Sequence, residues 1–239
     1  MSMLSIRNLT TIYPGGKVAV DSVSLDVEEG ELFAFIGHNG AGKTTTIKSI
    51  VGLLPITEGT IMVDGISVTE HPIETKKRIA YIPDNPELYP NLTGMQFLDF
   101  VSNVFRVPKE TRMERIRKYA DALEIRDVLN DQIQSYSHGM KQKLAIIVAF
   151  VHDPKLLIMD EPFVGLDPKA AFTVKEIMRE FCSRNNSIFF STHVLEVAEK
   201  LCDKVAIIKN GKLIACGTME AVKGNSSLEE VFLEITEEA

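Results

Sequence analysis

The sequence predicts an α/β fold built on a mostly parallel sheet, with an antiparallel β layer near the N-terminus and a helical insertion in the middle. Three observations carry this. Glu31 to Ile36 is a short apolar run of the kind that fills a strand buried on both faces. Strand signals vanish between Asp84 and Asp153. They return at Leu156 to Met159 and at Ile188 to Phe190, separated by a helical stretch from Pro168 to about Cys182, as parallel βαβ units require.

Taken in order, Met3 to Leu9 reads as a strand, and Val23, Leu25 and Val27 alternate with Ser24 and Asp26 at the period of a half-buried one. After Ile36 comes a glycine-rich loop, then a helix expected from Lys43 to Leu54. Ile61 and Val63 alternate ahead of Asp64-Gly65, and Ile79 to Ile82 is a strand stopped by Pro83. Thr93-Gly94-Met95-Gln96 fits a capping box and opens the helical third. Asn210-Gly211 between Val205–Ile208 and Lys212–Ala215 predicts a hairpin, because both turn positions tolerate positive φ. Ser227-Leu228-Glu229-Glu230 is a second capping box, starting a C-terminal helix.

Composition narrows the function classes. In 239 residues, 26 Lys and Arg stand against 33 Asp and Glu, a formal net charge of −7, so the long-range field repels a phosphate backbone and no nucleic-acid partner is expected. The charged stretch Arg112 to Lys118 reads as an exposed helix face, with Glu110/Glu114 and Glu114/Lys118 at i,i+4 spacing. Cys182, Cys202 and Cys216 are far apart and outside any CxxC pattern, which fits thiols in a reducing compartment. The longest apolar run, Leu144 to Val151, falls far short of the roughly 20 residues of a membrane span. The N-terminus lacks a secretory pattern, so a cytoplasmic chain is expected.

The chemistry concentrates in two motifs. Gly37-His38-Asn39-Gly40-Ala41-Gly42-Lys43-Thr44 fits G-x-x-x-x-G-K-[ST] between an apolar strand and a helix. Its glycines let backbone N–H groups curl around phosphate oxygens, the helix start adds a favourable dipole, Lys43 is placed for the β- and γ-phosphates, and Thr44 offers a hydroxyl to Mg2+. Thr45 follows on the same turn. The second motif, Leu156 to Glu161, ends an apolar strand in two carboxylates at the sheet edge where α/β folds bind ligands. Asp160 is the candidate for Mg2+ and Glu161 the candidate base for an attacking water.

With these residues in hand, the chain resembles the nucleotide-binding subunit of an ATP-binding cassette (ABC) transporter over essentially its whole length. Tyr136-Ser137-His138-Gly139-Met140 resembles the family signature LSGGQ, Tyr13 the aromatic residue that stacks on adenine, Gly165-Leu166-Asp167 the D-loop, and His193 the switch histidine. The resemblance implies a P-loop NTPase (RecA-like) core with an antiparallel β subdomain in residues 1–83 and 154–239, and a helical signature subdomain in residues 84–153. It implies ATP and Mg2+ as cofactors, a second cassette subunit in an ATP-dependent dimer, and a separate transmembrane permease, with this chain peripheral on the inner face of the cell membrane. Ser137 and the N–H groups of Gly139 and Met140 would form the anion site offered to the partner's ATP, and His193 would hold Glu161 and water in line. The signature and the segment Leu228-Glu229-Glu230-Val231-Phe232 resemble exporter ATPases more than importer ATPases.

Two departures stand out. Asp84 occupies the position where the family usually has a glutamine that contacts Mg2+ and water, with Asn85 beside it as the alternative source of the amide, and an ionised carboxylate ligates metal but donates no hydrogen bond. His138 and Met140 replace a glycine and a glutamine of the signature, leaving the side chain of His138 to reach the triphosphate or to point away. They motivate an alternative reading, a nucleotide-gated regulatory module with little hydrolysis. The segment from Asp84 to about Thr93, with Tyr89 and Pro90, is by resemblance the groove for the permease's coupling helix.

Overall fold

Leu32–Ile36 (β3), Leu156–Asp160 (β7) and Ser187–Thr192 (β8) are buried along their whole length, and they form the centre of a six-stranded sheet in a computed structural model that describes residues 2–237. Its order, with Ile79–Ile82 (β6), Lys204–Lys209 (β9) and Lys212–Thr218 (β10), is β10-β9-β3-β8-β7-β6. All neighbours are parallel except β9 and β10, the predicted hairpin, whose turn residues Asn210 and Gly211 have φ of 50° and 82°. Ser2–Ile12 (β1), Val18–Glu28 (β2), Glu58–Val63 (β4) and Ile66–Ser67 (β5) make the expected antiparallel layer, ordered β2-β1-β4-β5.

Lys43–Ile50 (α1) lies between these sheets, where Ile47 and Ile50 join Leu4, Phe33, Phe35 and Phe189 in one core. The helix is shorter than the sequence predicts. The Leu53 N–H donates to Lys48 O (2.8 Å) and the Gly52 N–H to Ser49 O (3.2 Å), with Gly52 at φ 69°, a Schellman stop. A second core fills the other face of the main sheet beneath His138–Val151 (α5), Pro168–Ser183 (α6) and Leu195–Leu201 (α7).

Pro72–Lys76 (α2) precedes β6. Gly94–Val104 (α3) and Lys109–Ala122 (α4) lead to α5; Thr93 and Gln96 form the predicted capping box on α3. Met219–Lys223 (α8) and Leu228–Glu237 (α9) follow the hairpin. Among the described residues no helix is long and apolar enough to cross a membrane.

Candidate nucleotide site

Residues 37–42 join the carboxyl end of β3 to α1, and His38, Asn39, Gly40 and Gly42 form one wall of a cavity of about 490 Å³. The loop's shape needs its glycines. A Cβ on Gly37 would stand 2.5 Å from Ile208 O, and Gly42, at φ 113°, leaves 2.7 Å between such an atom and Ala19 O. Gly40 has open space around it but adopts φ 81°, which disfavours a side chain. Because α1 begins at Lys43, its first-turn N–H groups have no intrahelical acceptors and face the cavity end of the helix with its positive dipole.

Lys43 is buried, its ammonium donating to the carbonyls of Gly37 (2.7 Å) and His38 (3.4 Å) and standing 3.6 Å from Glu161 Oε1. Thr44 Oγ1 donates to Asp160 Oδ2 at 2.7 Å, and the Ser191 hydroxyl donates to the other Asp160 oxygen. Thus Asp160, on the last residue of β7 and almost fully buried, is locked by two hydroxyls. Glu161 has φ 48°, a left-handed backbone that costs a non-glycine residue about 1–2 kcal/mol. Its N–H donates to Ser191, and its Oε2 meets His193 Nδ1 at 3.0 Å and the His193 N–H at 3.3 Å. One carboxylate therefore bridges the loop lysine and the histidine after β8.

Asp84 lines the same cavity. Burial, then the nearby charges of Asp160 and Glu161, hold its carboxyl above the usual carboxylate range, while His138 and His193 pull the other way. The Thr44 hydroxyl and Asp160 carboxylate are hard oxygen donors suited to Mg2+. Among the described residues no three His, Cys, Asp or Glu side chains converge to hold a metal unaided, so the donor set fits an ion shared with phosphate oxygens and water.

Of the residues singled out in the sequence, Tyr13, His38, Asn39, Gly40, Gly42, Lys43, Thr44, Thr45, Asp84, Asp160 and Glu161 line this cavity together. The Tyr13 hydroxyl is hydrogen-bonded to Thr45 Oγ1 at 3.0 Å. Gly37 and Ala41 lie behind the wall, and the Ala41 N–H is occupied by His38 O at 3.1 Å.

Ser137 and Gly139 do not line the cavity. Ser137 caps α5 by accepting the Met140 N–H at 3.3 Å, so the free donor pair expected of Gly139 and Met140 loses one member. The His138 side chain turns to its own chain: its ring fills the space that a Cβ on Gly165 would need. Gln142 Nε2 donates to Pro162 O (3.3 Å) and Lys143 pairs with Asp167 (3.4 Å), tying the start of α5 to the loop after Glu161.

Sequence reasoning missed Ser191, which holds the Asp160 carboxylate and the Glu161 N–H, and the cavity residues Lys17, Val18, Ala19, Asn210 and Gly211. Asn210-Gly211 gave a turn signal only. Its place beside the loop follows from β9 pairing with β3, and the Gly211 N–H donates to Ala41 O at 2.8 Å.

A glycine-rich loop feeding a helix start, a lysine at its crest and a threonine locked to a strand-end aspartate define a P-loop NTPase. The family model described as ABC transporter matches residues 20–164. Over 243 aligned residues the chain is 36% identical to the ABC-type transporter ATP-binding protein EcsA of Bacillus subtilis, covering 100% of this chain and 98% of that protein. It is 34% identical to the glycine betaine/carnitine/choline transport ATP-binding protein OpuCA of the same species, over 96% of this chain and 61% of OpuCA. A solved structure described as the ATP binding subunit of an ABC transporter superimposes with a TM-score of 0.94 at 34% identity, covering 98% of this chain and 100% of that one. The chain belongs to the ABC transporter family as an ATP-binding subunit, and it is an ATPase of that type.

Proposed function

We propose that this subunit powers a separate transmembrane permease: two cassettes close head-to-tail over two MgATP, and hydrolysis reopens them. The observation that carries the reading is the Lys43–Glu161–His193 chain of contacts beside the Thr44–Asp160 pair. In this reading Lys43 leaves the Gly37 and His38 carbonyls for the β- and γ-phosphates, and the loop N–H groups receive their oxygens. Glu161, freed from Lys43, takes the proton of the attacking water, and His193 keeps that carboxylate in line. Thr44 and Asp160 would hold Mg2+, with Asp84 facing the same space, and the ion would supply neutralisation of phosphate charge. Ser137 and Gly139 serve the ATP of the partner cassette, and Tyr13 exchanges its Thr45 contact for adenine stacking.

Residues 84–153 act as the signature subdomain of a single ATPase domain. Tyr89, more than half exposed and edge-on to Phe97 and Phe100, offers the aromatic anchor for a permease helix. The subunit then sits on the inner face of the cell membrane. Export is the direction we favour, on the resemblance of its signature and of Leu228–Phe232. The Glu161–His193 contact favours turnover over the alternative of a nucleotide-gated module.

Mg-dependent ATP hydrolysis measured on the complex purified with its membrane partner tests the proposal. Turnover together with a copurifying membrane protein is expected; ATP-driven dimerisation without turnover in that complex would overturn it.

A further inference from the structure

Helix α9 touches both the phosphate loop and α7, the helix that follows His193. Its start is a capping box, the Glu230 N–H donating to Ser227 Oγ (3.2 Å) and the Ser227 N–H to Glu230 Oε2 (2.9 Å). Glu199 of α7 grips the same end, accepting the Leu228 N–H at 3.1 Å with one oxygen and Lys223 Nζ at 2.7 Å with the other. Helix α7 begins two residues after His193.

One turn further along α9, Phe232 is buried in the core and its ring meets that of His38, centroids 4.8 Å apart and planes at 57°. His38 is the pivot of the phosphate loop. Its carbonyl accepts both the Ala41 N–H (3.1 Å) and Lys43 Nζ (3.4 Å). Around it lie Gly40 and Gly42, both at positive φ, residues with large freedom to lose when the loop is ordered.

From this geometry we infer that α9 is a positioning element of the ATP site: Phe232, through the His38 ring, holds the phosphate loop in its receptive shape before nucleotide arrives. A loop already ordered avoids that entropy loss on binding. The contact therefore acts on nucleotide affinity rather than on the chemical step. The inference rests on the ATPase reading of this cavity.

A double-mutant cycle tests it, using Phe232→Leu, His38→Ala and the two combined, with KM and kcat for MgATP and the Kd of a fluorescent ATP analogue. Phe232→Leu removes the ring while keeping an apolar side chain in the core; Phe232→Met takes its place if the leucine variant does not fold. Phe232→Leu is expected to raise KM and Kd about three- to tenfold, the range of one aromatic contact, with kcat changed less than about twofold, and His38→Ala, in the loop itself, is expected to raise Kd at least as much. The double variant is expected to be no worse than the weaker single one. Additive losses, an unchanged KM in Phe232→Leu, or a fall confined to kcat would overturn the inference while leaving the ATPase reading intact. A wild-type protein that binds no ATP analogue would overturn both.

Discussion

His152 follows α5 and stacks on Phe105, ring centroids 3.9 Å apart and planes at 13°, and neither ring nitrogen makes a well-aligned hydrogen bond among the described residues, although the backbone of Ile79 and Val148 lies close. Burial drives its pKa down to about 4 from 6.5, and the backbone of Ile79 and Val148 offsets only part of this. The unfolded chain therefore binds a proton that the folded chain refuses. A depressed folded pKa means that the stabilising contribution is complete above 6.5 and lost as pH falls from there toward 4. With these two values, the loss between pH 8 and pH 5 is about 2 kcal/mol, and below pH 4 it reaches about 3 kcal/mol. His152→Phe keeps the stack on Phe105 and removes the titration. At about 2–4 °C per kcal/mol for a chain of this size, its Tm relative to wild type should rise by about 4–8 °C between pH 8 and pH 5. Thermal melts of both proteins across that range measure the effect. Parallel Tm profiles would refute the reasoning, since any change in packing alone is independent of pH.

Gly165→Ala should destabilise the fold by about 1–3 kcal/mol, because position 165 has φ 80° and the new methyl meets the His138 ring. Adding His138→Gly should recover the steric share and leave the backbone share, as read by thermal melts of the three variants. Asp84→Asn should raise Tm slightly at neutral pH. In wild type, burial and the charges of Asp160 and Glu161 favour protonated Asp84 in the folded state, so the favourable contribution is present at acid pH and lost as pH rises through the raised pKa. The advantage of the asparagine variant should accordingly disappear below the ordinary carboxylate range, and an equal advantage at both ends would contradict it.

How much of this was legible in the sequence depended on whether the signal is local. The strands β3, β6, β7 and β8 announce themselves because both faces are buried, leaving unbroken apolar runs such as Ile79–Ile82. The caps of α3 and α9 are readable because Thr93, Gln96, Ser227 and Glu230 do their work within four residues. The short helices α2, α7 and α8 leave no such signal, since five to seven residues give too few turns for a helical period to show.

The phosphate loop was legible because its glycines answer to local backbone geometry. What surrounds it was not: Lys17, Ala19 and Asn210 reach the cavity through strand order, with β9 beside β3 and the turn after β1 above the loop. The direction of the His138 side chain was equally open in the sequence. It is decided by Gly165, twenty-seven residues away, which leaves room for the ring.

We propose that Glu161, poised between Lys43 and His193, is the base of an ATP-driven opening and closing cycle. The direct measurement is MgATP hydrolysis and ATP-induced dimerisation of the subunit with and without Glu161→Gln. The wild-type protein should turn over, and the glutamine variant should lose about two to four orders of magnitude in kcat while accumulating an ATP-bound dimer. A variant that hydrolyses ATP at the wild-type rate, or one that binds ATP and stays monomeric, would contradict it.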